Sequence, residues 1–216
     1  MRAQPKRRTQ GRPSNAQSGV GRDALIDSTR RLLQTKPPGK VTREEIARFA
    51  GVNPALIRYY FRDKSNLLTA VVEAISHENL KRLRETLSSE GTAADRLARR
   101  VHLLLQMHAE NPYYHQLIFE QLWQGSSRKQ KRLAREMIVP YFEEFHRLFS
   151  DGRRRREMRD VDPRFLHVAL IGLCELFINA PYMLCELFQT KAITPQLVRE
   201  YGDFVVDLLL HGVAHD

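Results

Sequence analysis

The chain has 216 residues, a formal net charge of +10 and a hydrophobic content of 42%. This length allows one large domain or two small ones, and the apolar content is sufficient for a packed core. Two cysteines cannot form a disulfide framework, and no stretch approaches the roughly 20 apolar residues of a membrane span. We therefore expect a cytoplasmic protein with no signal peptide.

The positive charge is concentrated at one end of the sequence. Residues 1–65 contain fifteen Lys or Arg and five Asp or Glu, a net charge of +10, whereas residues 66–216 contain twenty of each and are neutral. An even distribution would indicate only solubility. A basic segment attached to a neutral body is typical of a protein that binds a polyanion such as nucleic acid.

The first 20 residues offer almost nothing that a core could bury. They are Gly, Pro, Ser, Gln and Arg for the most part, so we expect a disordered basic tail. The segment Gln10 to Pro13 is one residue short of the Arg-Gly-Arg-Pro core of minor-groove AT-hooks. Because such short matches are weak, a solvated leader is favoured over an arm that reaches the minor groove.

After a first helix, predicted from Arg22 to about Thr35, the sequence predicts two short helices joined by a tight turn. Thr42 is an N-cap residue that starts the first of them. Gly51 ends it, because glycine takes a left-handed backbone without strain. Next come Asn53 as a cap and Pro54 at the first helical position. This layout is typical of a helix-turn-helix, whose second helix lies in the DNA major groove.

Side chains at the front of the second short helix are the candidates for reading bases. Helical spacing turns four residues toward the groove: Asn53, Pro54, Ala55 and Arg58. Arg58 is the candidate for the main specific contact, because a guanidinium can donate two hydrogen bonds to guanine O6 and N7. A phosphate contact is the alternative for Arg58, since phosphates accept half or more of such bonds.

Several segments in this region carry a resemblance to a known family: Ile46-Ala47, Ala50-Gly51-Val52, Ile57-Arg58-Tyr59-Tyr60-Phe61, Lys64 and Leu67-Leu68. Together they closely resemble the N-terminal domain of the TetR family of bacterial transcriptional regulators, from about residue 22 to residue 68. The resemblance implies further contacts to the DNA backbone, from Thr42, Arg43, Tyr59 and Lys64. Arg58 and Tyr60 stand where the family often has tyrosine and histidine, so the operator sequence is not implied.

The rest of the chain is predicted to be helical throughout. The fold class is all-α: a three-helix DNA-binding domain (residues 21–67) precedes a larger helical ligand-binding and dimerisation domain (residues 68–216), with about nine helices in total. Pro140 should kink or divide the seventh helix, and the eighth should be interrupted near Pro181. We expect residues 151–160 to form a charged loop.

Helices five to eight of this prediction are rich in aromatic and semi-polar side chains. In the TetR family such helices enclose a pocket, so the resemblance implies a site for a small, partly apolar effector. Ordinary core packing is the alternative for each single residue. The candidate ligand-binding residues are His102, His108, Tyr113, His115, Phe119, Trp123, Phe142 and Phe145.

The last two predicted helices are the most apolar stretches of the chain. The eighth is hydrophobic nearly all round, so it must be buried on more than one side. The resemblance implies that these helices form a four-helix bundle with a second subunit. We therefore expect a homodimer. Cys174 and Cys185 are either a redox pair or small core residues, and the latter is favoured.

The leading functional hypothesis is a ligand-responsive regulator, a repressor that binds an inverted-repeat DNA operator as a dimer and is released by a small molecule. The alternative is an architectural or nonspecific DNA-binding protein. An enzyme is a third class, but the sequence has no nucleophile elbow, phosphate-binding Gly loop, HExxH or CxxC. No catalytic residue, metal site or cofactor is therefore predicted.

Overall fold

The computed structural model describes residues 21–88, 90–124 and 127–213, without the side chains of residues 121–124, 129, 212 and 213. The predicted basic tail lies outside these ranges. Within them the chain is helical and has no β-strand, which confirms the all-α prediction. The α-helices are α1 (Arg22–Leu32), α2 (Arg43–Phe49), α3 (Ala55–Phe61), α4 (Lys64–Ser88), α5 (Ala93–Glu110), α6 (Tyr114–Gln124), α7 (Ser127–Leu133), α8 (Val139–Arg154), α9 (Pro163–Asn179), α10 (Pro181–Leu187) and α11 (Pro195–Val213).

Helices α1 to α3 pack against the N-terminal half of α4. The cap of α2 forms as predicted, because the Glu45 amide donates to Thr42 Oγ1 over 3.1 Å. The Glu45 carboxylate pairs with Lys36, and this hydrogen bond lowers its pKa. These local bonds fix where α2 begins and so fix the direction of the turn that follows.

The long helix α4 joins the two parts of the molecule. It runs without a break through residues 67 and 68, where the predicted domains meet. Its first half is buried under α1 to α3, and the same core continues into side chains of α6 and α7. Arg30 of α1 adds a polar link, because its Nε donates to Asn111 Oδ1, at the end of α5, over 3.1 Å. The body is therefore joined to α1, α2 and α3 through packed side chains as well as through α4.

Two of the predicted helices are divided, as their prolines indicated. Pro140 lies in the first turn of α8, which follows α7 through a π-helical turn at Ala134–Ile138. Pro181 starts α10, which is bent by 82° from α9. Among the described residues no single helix is long and apolar enough to cross a membrane, and only this bent pair together reaches that length and composition.

The predicted loop at residues 151–160 was wrong in its first part, because α8 continues to Arg154. Asp151 explains the difference. Its carboxylate accepts bonds from Arg96 of α5 over 2.6 Å and from Arg154 over 3.1 Å, and these bonds lower its pKa. The arginine run is thereby held on a helix rather than repelled into a loop.

The body is built around α5, which packs against α4, α8, α9 and α11. Its apolar face forms a core with Phe145, Phe149, Leu170 and Val205 of the surrounding helices. The helix α11 approaches α5 closely at Gly202, where an added Cβ would lie 2.7 Å from the His102 ring. A larger residue at this position would require the His102 side chain to move.

Candidate functional site

The helix α3 exposes one face and buries the other. Ile57 and Phe61 lie in the core, whereas the side chain of Tyr59 is 78% exposed. The other exposed residues on this face are Asn53, Pro54, Ala55 and Arg58, and Tyr60 is half-buried. The structure thus brings together at one surface the residues predicted to read DNA.

The turn before α3 holds this face in place. Gly51 has a φ of +67°, the left-handed conformation that was predicted for it. Asn53 Oδ1 accepts a hydrogen bond of 2.8 Å from the Ala55 amide, so its side chain caps the helix. The fork-shaped Arg58 side chain follows one turn later on the same exposed face.

Lys64 has a structural role that the sequence did not indicate. Its Nζ donates to the backbone carbonyls of Pro38, over 3.1 Å, and Val41, over 2.6 Å. The ammonium therefore ties the segment before α2 to the start of α4. Its predicted phosphate contact would have to use the remaining N–H group.

Exposed cations also lie on the segments next to the exposed face of α3. Arg43 lies beside Thr42 at the start of α2, and both side chains are exposed. Further exposed cations in the same region are Lys40, Arg48 and Arg62. Such a set can neutralise phosphates on either side of a groove.

The body contains a cavity of about 170 Å³ between α4, α5, α6, α8 and α9. Its wall is mainly apolar, with a small number of polar groups. The residues that line it are Asn79, Arg100, Leu104, Met107, His108, Tyr114, His115, Ile118, Phe119, Met137, Ile138, Tyr141, His167, Ile171 and Glu175.

The structure places only part of the predicted ligand-binding set at this cavity. His108, His115 and Phe119 line it. The Trp123 side chain lies outside the described residues. His102 instead faces α11, where its Nε2 lies 3.1 Å from Asp203 Oδ1.

The remaining predicted residues lie near the cavity without lining it. Phe142 and Phe145 pack against the ring of His167, with centroid distances of 5.7 and 5.1 Å. Tyr113 lies in a small crevice beside Arg30 of α1. These residues support the wall from behind.

A hydrogen-bonded chain crosses one side of the cavity. His108 Nδ1 lies 2.6 Å from the Leu104 carbonyl, which makes Nδ1 the donor. His115 Nδ1 lies 3.0 Å from His108 Nε2 and 3.2 Å from Glu175 Oε1. Burial lowers the pKa of His108 to about 4, and the bond to His115 lowers the pKa of Glu175. At neutral pH this side therefore holds one carboxylate and a neutral His108.

Three further polar residues of the lining were not predicted from the sequence. Arg100, Asn79 and His167 each have buried side-chain polar atoms with no hydrogen-bond partner in the described part of the chain. A signal for Arg100 was present, since it shares the apolar helical stripe of Leu97 and Leu104. Asn79 and His167 come from other helices, and their approach depends on the fold.

The π-helical turn Ala134–Ile138 supplies two of the apolar wall residues, Met137 and Ile138. A π-turn holds one residue more than an α-turn and is often found at functional sites. Met137 also packs in the core beneath α1 to α4. The wall and the DNA-binding part therefore share a side chain.

Sulfur and metal chemistry find little support in the structure. Cys174 and Cys185 are free thiols, and burial raises the pKa of Cys174 to about 12. No cluster of three His, Cys, Asp or Glu side chains suited to a metal ion occurs among the described residues. Cys174 packs as a small core residue.

The last three helices expose a large apolar surface, which we call the C-terminal face. The exposed side chains are Phe165, Val168, Leu176, Tyr182, Met183, Leu187, Phe188, Phe204 and Leu208. Single exposed apolar residues are common, but nine of them on three successive helices and the residue after α10 are more than a monomer's surface usually carries in one region of the chain.

Two family models match the sequence. The model described as "Bacterial regulatory proteins, tetR family" matches residues 25–71. The model described as "Tetracyclin repressor-like, C-terminal domain" matches residues 86–216, more than half of the chain. The chain belongs to the TetR family. The TetR resemblance seen in residues 22–68 is thus confirmed and extends to the body.

One curated protein and several solved structures are similar to this TetR-family chain. It is 35% identical over 95 residues to the HTH-type transcriptional regulator BetI of Rhizobium meliloti, a match that spans 44% of this chain and 45% of the relative. A transcriptional regulator from Saccharomonospora viridis, in complex with choline, has a TM-score of 0.74 at 18% identity, over 90% of this chain and 98% of the other. The regulator FadR from Bacillus subtilis, in complex with stearoyl-CoA, has a TM-score of 0.68 at 18% identity, and the match covers 89% of this chain and 99% of the other. These two structures show the fold.

Proposed function

We propose that this TetR-family protein is a cytoplasmic, dimeric repressor that binds an inverted-repeat operator and is released by a small molecule. One observation carries the proposal: the same side chains line the cavity and pack in the core beneath α1 to α4. Tyr114 and Met137 line the cavity and also pack in the core beneath α1 to α4. A ligand that displaces them would disturb the support of the reading helix.

The reading contacts follow from the exposed face of α3. We assign base readout to Arg58 with Asn53, Pro54 and Ala55, since they project from the front of the helix. Tyr59, Tyr60, Thr42, Arg43 and Lys64 are assigned to the DNA backbone. The basic tail and residues 21–67 form the DNA-binding part, and residues 68–216 the effector-binding and dimerisation part.

The C-terminal face is proposed as the contact to a second copy of the chain. One copy of α3 covers only a few base pairs, which is too little for useful specificity in a genome. A two-fold dimer reads two half-sites separated by about 34 Å, one turn of DNA, or a multiple of it. The exposed apolar residues of α9, α10 and α11 support this proposal, because a dimer would remove them from water.

We propose that ligand binding in the cavity is coupled to DNA binding through α4. Its first residue, Lys64, is tied to the segment before α2, and its middle contacts the cavity at Asn79. A change in the tilt of α4 would alter the separation of the two reading helices. Two arrangements of the dimer are then possible, one that fits DNA and one that does not. The ligand can shift the protein toward the second arrangement only if it binds that arrangement with higher affinity than the first.

Selection of bound fragments from random duplex DNA by the full chain tests this function. We expect an enriched inverted repeat, bound more tightly than random DNA at physiological salt. Addition of small molecules in a binding assay should then lower operator affinity. Equal binding to all sequences, with a steep salt dependence, would support a nonspecific architectural protein instead.

A further inference from the structure

Arg100 is the most unusual group in the cavity wall. Its side chain is 1% exposed, although it belongs to the cavity lining. Its Nε, Nη1 and Nη2 atoms have no hydrogen-bond partner in the part of the chain that the structure describes. A guanidinium has five N–H donors, so all of its hydrogen-bonding capacity is unused.

No charged side chain among the described residues compensates the Arg100 guanidinium. The side chains that act on the pKa of Arg100 besides burial are Cys174 and Tyr141. Burial raises the pKa of both, to about 12 for Cys174, so both are neutral at neutral pH. Burial lowers the pKa of Arg100 itself to about 10, which leaves the guanidinium charged.

Two carboxylates on the helices that enclose the cavity are engaged elsewhere. Glu175 of α9, which also lines the cavity, pairs with His115 over 3.2 Å. Glu144 of α8 pairs with Arg84 over 2.6 Å. A buried charge without a partner is strongly unfavourable, and in natural proteins it is normally paired or ligates something. The missing counter-charge must therefore come from outside the described chain.

We propose that Arg100 binds a carboxylate on the effector, and that this effector is a compact monocarboxylate with an apolar body. The inference rests on the proposed function of the cavity as the effector site. A planar carboxylate accepts two parallel N–H bonds from a guanidinium. The neutral His167, whose Nδ1 also lacks a partner, would add a hydrogen bond.

The charge and size of the cavity narrow the ligand class. Among the described lining residues Arg100 is the cation without a partner, and burial keeps His108 and His167 neutral by lowering the pKa of each to about 4. The Glu175 carboxylate of the same wall is already bonded to His115, so the unpaired guanidinium favours one negative charge on the ligand. The volume of about 170 Å³ is close to that of an engineered cavity that admits benzene. A quaternary ammonium would instead meet an uncompensated guanidinium.

Calorimetry and thermal shift with the DNA-free protein test the ligand class. The probes are straight-chain carboxylates from butanoate to decanoate, benzoate and phenylacetate, each beside its primary amide, with choline as the cationic probe. We expect at least one carboxylate to bind at least tenfold more tightly than its amide and more tightly than choline. Equal affinity of every acid and its amide, preference for choline, or no binding of any carboxylate overturns the proposal.

Two variants separate ligand binding from structural support. Arg100→Met should abolish the preference for the acid and leave the ligand-free melting temperature unchanged or higher, because it removes a buried unpaired charge. Arg100→Lys should retain part of the preference, since it keeps the charge but not the planar fork. The matched control is Arg99→Met on the same helix, outside the cavity lining, which should retain the full preference. A ligand-free Arg100→Met protein that melts well below Arg99→Met would show a structural role and overturn the proposal.

A second assay distinguishes this inference from the proposed function. The acid that binds is added to the complex with the selected operator. Binding to the free protein without any effect on operator affinity would leave the carboxylate site standing and refute release by this ligand. Release by amides or choline but by no carboxylate would leave ligand response standing and refute the role of Arg100.

Discussion

The phenol oxygen of Tyr141 donates a 2.7 Å hydrogen bond to the backbone carbonyl of Ser76. Tyr141 is part of the cavity wall on α8, and Ser76 lies in the buried middle of α4. The bond therefore joins the cavity wall to α4, the helix that begins directly after α3. Burial raises the pKa of Tyr141, so the hydroxyl remains a donor well above neutral pH.

Tyr141→Phe should remove this link while it keeps the ring in the wall. We expect the free energy of unfolding to fall by at least about 0.5–1.5 kcal/mol, the net value of one buried hydrogen bond, because the hydroxyl also bonds to Tyr114. Urea denaturation measures it. Tyr59→Phe, at a residue that is 78% exposed on α3 and lies outside the C-terminal face, is the control and should change stability by less than about 0.5 kcal/mol. Equal stability of the two variants would mean that the bond contributes nothing.

Arg58→Ala should relax base preference at one position in each half-site. The expected cost is about 1–3 kcal/mol for the preferred base, because the two bonds to a guanine edge are lost. Tyr59→Phe should instead weaken binding to all sequences alike. Fluorescence anisotropy with operator variants compares the two. A uniform loss for Arg58→Ala would assign it to phosphate.

Leu208→Asp should split the proposed dimer without unfolding the subunit. Leu208 is 47% exposed on the C-terminal face, whereas its neighbour Leu209 is 6% exposed in the core of its own subunit. A charge at Leu209 should therefore destabilise the fold itself, and only Leu208 gives a clean test. Sedimentation reports the assembly state and circular dichroism the fold. A wild-type chain that is monomeric at micromolar concentration would refute the dimer.

Acid should destabilise the protein through the buried histidines of the cavity. Burial, with the charge of Arg100 adding to it, lowers the pKa of His108 and His167 from 6.5 to about 4. Between these pH values the unfolded chain binds protons that the folded chain does not, so stability falls as the pH falls from about 6.5 to about 4. At about 1.4 kcal/mol per pKa unit, we expect a loss of about 1–2 kcal/mol per histidine at pH 5.

Urea denaturation at pH 7 and pH 5 measures this loss. His167→Gln should make the difference between the two pH values smaller, because it removes one titrating group. His146→Gln, at an exposed position of α8, is the matched control and should keep the wild-type difference. An identical pH dependence of wild type and His167→Gln would contradict the prediction.

The helix-turn-helix could be predicted from local sequence signals. The cavity could not, because residues that are distant in the sequence form it. Thr42 and Gly51 act on atoms within a few residues of themselves, so their cap and turn could be predicted from spacing alone. Arg100 meets Tyr141 and Cys174, which lie 41 and 74 positions further along the chain. No local pattern specifies such an encounter. The aromatic content of the body indicated a site but not which rings would face it.

The π-helical turn at Ala134–Ile138 also fixes the rotation of α8 about its own axis. In an α-helix each residue turns the chain by about 100°, so one extra residue rotates everything after it by that angle. Without it, a continuous helix through α7 and α8 would present a different stripe of α8 to α4 and α5. Deletion of one residue between Ala134 and Ile138 would therefore act as a rotation of Tyr141 and Phe145 away from their present neighbours, at a distance from the deleted residue. The length of this short turn therefore determines which side chains of α8 face the other helices of the body.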